Sequence, residues 1–281
     1  MGSTNGTPRA VELGLLLRGF RRRAGLSLQD LAAQIGEKDH TQLSRIERAQ
    51  RGLDESLLGA ILGILGVTGG EREQALTLFR NATDPNYLAP GPGRQLALLR
   101  EYEENADGIT AFNNGLVPGP FQTRAYAMAV MLSAGDTKAK ATEGADFRMA
   151  RAAQILSSDV EYTAIIGEYG LRYPPCDPMV GGEQLRHLMK ISEMPRITIR
   201  AVDIRSRLFP MRFGPFVLIE SSRAGTAVVH LEQVTGSTTM TDFRYVRGYQ
   251  DAADNLRREA MSPDATSVLI EEIADEMERT T

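Results

Sequence analysis

The sequence predicts two domains. Residues 1–83 form an all-α domain of five short helices, and residues 95–281 form an α+β domain with a small, mainly antiparallel sheet. Three observations carry this expectation. Apolar residues recur at helical spacing through residues 9–83, with no strand-like run among them. The stretch TDPNYLAPGPGR (83–94), with three prolines and two glycines, breaks that pattern and reads as a linker over 84–94. Beyond it, helical segments alternate with short runs rich in β-branched residues. At 281 residues the chain is long enough for two separate cores.

The opening MGSTNGTPRA has no apolar signal core and is expected to be a disordered lead-in. In VELGLLLRGFRRRAG, Leu13, Leu16, Leu17 and Phe20 share a helical face, and Gly25 is the stop. Ser27 caps a second helix, LQDLAAQIG, which Gly36 closes. The third helix lies in DHTQLSRIERAQRG (39–52), with Asp39 as its N-cap and Leu43 and Ile46 facing inward. Asp54 caps the fourth, and Thr68 with Glu71 forms a capping box for the fifth. In the second domain, helices are expected at about 94–107, 122–134 and 139–157. Strands are expected at 160–166, 197–203, 215–220 and 226–232, the last two as a hairpin. GEQLRHLMKISE (182–193) is a helix between the first two strands, and two helices end the chain. Ser262 caps the final one, with Pro263 at its first position.

Charge is unevenly spread. Residues 9–52 carry nine Lys/Arg against five Asp/Glu, whereas the chain as a whole is at −4. A basic head on an acidic body suits a protein whose head alone meets an anionic polymer. The single cysteine, Cys176, excludes an internal disulfide and fits a reducing cytoplasm. The longest apolar run, LLGAILGILGV from Leu57, is too short to span a bilayer, so no membrane partner is expected.

Two capped helices joined across Gly36–Lys38, the second polar and arginine-bearing, make a helix-turn-helix candidate suited to the DNA major groove. AGLSLQDLA (24–32), QLSRIERAQRG (42–52) and LGVTGGERE (65–73), set among five helices, resemble the lambda-repressor-like, or XRE, family of DNA-binding domains. The resemblance implies that His40, Thr41, Gln42, Ser44 and Arg45 face the groove, Arg45 being the best single base reader through guanine O6 and N7. It implies phosphate contacts from Arg22, Ser27, Arg48 and Arg51. Gln29 and Lys38 complete the DNA-facing set. The sequence departs from the family at Leu28, where a glutamine is usual after the capping serine. It also departs in the turn, which is one residue longer and has Lys38 where a buried aliphatic is typical. Glu47 is expected to be a structural partner for an arginine of the same domain.

NNGLVPGPFQTRAYAMAVM (113–131), DFRMARAAQIL (146–156), EYGLRYPPCDPMVGGEQLRHLM (168–189) and GPFVLIESSRAGTAVVHLE (214–232) resemble an actinomycete effector domain that follows XRE domains. This domain is often encoded beside a small partner protein, hence "antitoxin-like". Pro118, Phe121, Gln122 and Tyr126, around the unusual VPGPF turn, are the candidate residues for a partner or ligand. An extended partner is expected to pair with an exposed sheet edge near 216–232. The region shows no His/Cys cluster with metal spacing, no phosphate loop and no nucleophile–base set. His187 and His230 read as structural.

These observations point to a cytoplasmic, nucleoid-associated transcription regulator. It would bind double-stranded DNA as a homodimer on a palindromic operator, and a small protein partner or small-molecule ligand would modulate it. No cofactor, metal or enzymatic activity is expected. The alternatives are an antitoxin-like protein whose main task is holding a small partner, and an enzyme with a DNA-binding head.

Overall fold

The structure, a computed structural model, describes residues 6–37, 39–89, 92–208, 214–222, 226–233 and 236–280. The chain divides into two compact units. One comprises Met1–Glu101 with Arg223–Val228 and Gln233–Val246; the other comprises Tyr102–Ser222 with Val229–Glu232 and Arg247–Thr281.

The first unit opens with five helices: α1 (Pro8–Arg23), α2 (Leu28–Gln34), α3 (Thr41–Glu47), α4 (Glu55–Ile64) and α5 (Gly69–Arg80). Order is present inside the expected lead-in, from Thr7 on. The Thr7 hydroxyl accepts from the Ala10 amide and Pro8 occupies the first helical position, so α1 starts there. Ser27 and Asp30 close a capping box on α2. Gly36, at φ +79, ends that helix, with the Glu37 amide donating to the Ala32 carbonyl. Two expected caps differ. His40 takes the N-cap position of α3, while Asp39 one residue earlier accepts from the Thr41 amide at 2.8 Å. Thr68 makes no side-chain cap, because the Glu71 carboxylate turns to Arg23 (2.6 and 2.8 Å) and no reciprocal box forms. Leu13, Leu17, Phe20, Leu31, Leu43, Ile46, Leu58, Ile61 and Leu62 fill the core.

Helix α1 crosses α3 at Gly14, where an added Cβ would sit 2.5 Å from the Glu47 carbonyl oxygen and 3.0 Å from that of Ile46. We expect Gly14→Ala to cost about 1–3 kcal/mol by forcing the helices apart. Gly59→Ala, where an added Cβ meets nothing within 4 Å, should instead gain roughly 0.5–1 kcal/mol. Urea unfolding of both variants checks the contrast; equal effects would mean α1 and α3 do not pack through Gly14.

Two elements overlap the expected linker 84–94. Strand β1 (Asn86–Ala89) lies there and pairs antiparallel with β7 (Gly236–Met240), and α6 (Pro92–Glu103) begins there.

The second unit contains β2 (Gly108–Asn113), a 3₁₀ turn (Gly119–Phe121), α7 (Arg124–Ser133), α8 (Lys138–Leu156) and β3 (Glu161–Gly167). There follow α9 (Glu168–Arg172), α10 (Pro178–Ser192), β4 (Ile197–Val202) and β5 (Phe216–Ser221), and of β6 (Thr226–Gln233) the residues Val229–Glu232. Helices α11 (Phe243–Glu259) and α12 (Pro263–Arg279) end the chain. The sheet has seven strands in the order β1-β7-β6-β5-β2-β3-β4. The expectation of a small, mainly antiparallel sheet is therefore corrected to a large mixed one. Strands β2, β3 and β4 run parallel, because each is linked to the next by a helical crossover too long for a hairpin. Strands β5 and β6 lie inside the sheet, so the expected docking of a partner on an open edge there is also corrected.

One face of this sheet carries Ile109, Ala111, Tyr162 and Ala164, with Phe121 of the 3₁₀ turn stacked on Tyr162 at 4.7 Å. On the other face Phe216 meets Phe112 at 5.7 Å and Tyr249 of α11 at 5.3 Å. Arg200 of β4 seals the end of α11 by donating to the carbonyls of Arg257, Ala260 (2.6 Å) and Met261 (2.8 Å).

Candidate DNA-binding surface and effector-domain cavity

Burial sorts the arginines of the first unit by role. Arg21 is buried, and its Nε and Nη2 donate to Glu47 at 2.6 and 2.8 Å. Arg18 donates to the Glu47 carbonyl and, through Nη1, to Glu101 of α6 (both 3.1 Å). Glu47 is thus the hub that fixes α3 on α1. Arg22, Arg45, Arg48 and Arg51 are exposed, and among the described residues none has a carboxylate within 4 Å. His40 and Thr41 are exposed, and Gln42 and Ser44 half-buried, on the polar side of α3, opposite buried Leu43 and Ile46. Gln29 is exposed on α2. Ser27 is exposed too, but its hydroxyl is committed to Asp30 at 2.6 Å. Arg48 donates from Nε to the Ser44 carbonyl at 3.2 Å, leaving its other nitrogens outward. Lys38 lies outside the described residues.

The four candidate partner residues fall in the second unit, and all are buried. Phe121 is fully covered. Gln122 donates to the Val117 carbonyl (2.7 Å) and accepts from Arg148 (2.6 Å). The Tyr126 hydroxyl meets the Val117 amide at 3.4 Å, and burial pushes its pKa up to about 12. Gln184 of α10 pins the turn from outside, accepting from the Thr123 amide (2.7 Å) and donating to the Phe121 carbonyl (2.8 Å). These three residues hold the VPGPF turn in place. Pro118 lines a cavity of about 40 Å³.

That cavity gathers residues the sequence reading missed. Arg151, Tyr162, His230 and Glu232 line it with Asn113, Gly119, Phe216 and Val217. Arg151 is buried and paired with buried Glu103 through Nε (2.8 Å) and Nη2 (2.5 Å). Burial opposes its charge, but the Glu103 carboxylate more than offsets this and holds the guanidinium protonated. Burial raises the Tyr162 phenol and keeps it neutral. A signal was available for part of this group. Arg151 lies four residues before buried Ile155 and next to buried Ala152, a charge where α8 turns inward.

His230 is buried, and desolvation lowers its pKa to about 4 against an ordinary 6.5. The unfolded chain therefore binds a proton that the folded one refuses. The stabilisation is complete above about pH 6.5 and is lost as pH falls toward 4. We expect the wild type to lose about 2 kcal/mol between pH 7 and pH 5 relative to His230→Gln. Parallel stability curves for the two proteins would show that His230 does not titrate in this way.

Among the described residues no helix is long and apolar enough to cross a membrane, and no group of three or more His, Cys, Asp or Glu is placed to hold a metal ion. Residues 12–75 match the model of a helix-turn-helix domain, so the N-terminal helices form such a domain. Residues 96–272, more than half of the chain, match a family described as a domain of unknown function (DUF5753). The chain belongs to the DUF5753 family. Every described residue of the cavity lies inside the DUF5753 segment, and α2 and α3 lie inside the helix-turn-helix match. No curated protein and no solved structure matches this DUF5753 chain.

Proposed function

We propose that this protein is a cytoplasmic, nucleoid-associated, sequence-specific transcription regulator of the XRE type that binds a palindromic operator as a homodimer. Its DUF5753 domain sets DNA affinity through a small protein partner or a ligand. The observation that carries the reading is the division of arginines around α3. Arg21 is consumed by Glu47, while Arg45, Arg48 and Arg51 stand exposed beside His40, Thr41 and Gln42 on a helix held by a capped neighbour. Dimerisation follows from size, since one such head makes too few contacts for operator affinity. Modulation is supported by α6. Glu101 pairs with Arg18 in the first unit, and Glu103, two residues on, pairs with Arg151 in the second. A non-enzymatic role is supported by Cys176, whose thiol burial pushes up to about 11, too high for a nucleophile near neutral pH.

Arg45→Ala should cost about 1–3 kcal/mol on the preferred site and relax preference at one base pair. Arg51→Ala should weaken all sequences alike and reduce the slope of log affinity against log salt by roughly one. Fluorescence anisotropy on preferred and random duplexes at two salt concentrations reads both. Equal losses on the two duplexes for Arg45→Ala would make it a phosphate contact and remove the assigned base reader.

A further inference from the structure

The Tyr162 hydroxyl is buried beside the DUF5753 cavity and has no hydrogen-bond partner among the described residues. An orphaned buried hydroxyl is costly unless something at the site satisfies it. The ring above it is fixed by stacking on Phe121, so the hydroxyl cannot simply turn away. Arg151 reaches the same space. Its Nε and Nη2 are spent on Glu103, and its Nη1 lies 3.5 Å from where a Cβ on Gly119 would sit. Two donors from different elements, one phenolic and one guanidinium, thus converge on one small space. Pro118, Pro120 and Val217 give that space an apolar wall. At about 40 Å³ it excludes nucleotides and drug-sized ligands, which need about 300–1,000 Å³.

We propose that this cavity is a ligand site that takes the oxygen-bearing end of a short-chain carboxylate or amide. The ligand oxygen accepts from Tyr162 Oη and Arg151 Nη1, and its short carbon chain lies against the prolines and Val217. The assignment rests on the reading that the DUF5753 domain sets DNA affinity, and supplies the chemistry of the ligand. Because Glu103 already neutralises Arg151, the site favours an acceptor oxygen without demanding a full negative charge. Glu232, also on the lining, further limits how much anionic charge it holds.

Ligand-detected saturation-transfer NMR on the full chain tests this, with butyrate and butyramide as probes. At least one probe should bind, and Tyr162→Phe, which keeps the stacked ring, should weaken it by about tenfold. Gly119→Ala puts a methyl in ordinary contact with Arg151 Nη1 and should weaken the same probe. Preference for butyramide identifies a neutral ligand, and preference for butyrate identifies an acid. Neither probe binding at roughly 10 mM overturns the proposal, as does binding unchanged in both variants. Tyr162-dependent binding with no change in DNA affinity keeps the site and overturns the modulation reading instead.

Discussion

Glu103→Ala should destabilise the DUF5753 unit by about 3–5 kcal/mol, because it strands Arg151 as an unpaired charge in the interior. Both side chains are almost wholly covered, so neither water nor another carboxylate replaces the lost partner. The double substitution Glu103→Leu with Arg151→Met removes both charges and should recover most of that loss. Guanidinium unfolding of the three proteins reads the pattern. A loss below about 1 kcal/mol in Glu103→Ala would show that the pair is solvated and the cavity beside it open.

Glu47→Ala should be as costly in the helix-turn-helix domain, again about 3–5 kcal/mol, and should abolish DNA binding although Glu47 faces away from DNA on this account. Its carboxylate takes two hydrogen bonds from Arg21, and its backbone carbonyl takes one from Arg18. Without the carboxylate, Arg21 loses both of these bonds and Arg18 its 3.8 Å ion pair, which loosens α3 on α1. Arg21→Met with Glu47→Leu should restore helix content and a measurable share of DNA affinity. If the double variant folds as the wild type does but binds no DNA, Glu47 acts at the DNA surface rather than beneath it.

The helical domain was legible in the sequence because its signals are local. Ser27 and Asp54 cap the helices they precede, Gly36 ends α2, and Leu43 and Ile46 point inward on α3. Glu47 as an ion-pair partner was legible too, since a lone acid among arginines on a short helix has few other uses. The sheet was less legible. Strand β2, GITAFN, is short and framed by glycine and asparagine, and β7, GSTTM, is nearly all polar, so neither carries strand periodicity. Strand β1 sits among prolines that signal a break rather than a pairing. The parallel register of β3 and β4 was on the page as a helix, 182–193, between two apolar runs. A crossover of that length requires parallel strands, whereas the hairpin at 215–232 drew the reading toward an antiparallel sheet. The cavity was the least legible part. Glu103, Arg151, Tyr162 and His230 come from four elements and share no sequence spacing. VPGPF marked the right neighbourhood, but its aromatic and amide side chains brace the turn from inside.

The central claim is that α3 reads DNA sequence from a symmetric pair of helix-turn-helix domains. Selection of bound duplexes from a random library by the full-length chain tests it most directly. The account predicts enrichment of a two-fold symmetric sequence with half-sites about one helical turn apart, or a multiple of that, and loss of preference at one position per half-site in Arg45→Ala. Recovery of no sequence above the random background, at salt low enough for the chain to bind DNA at all, would contradict it.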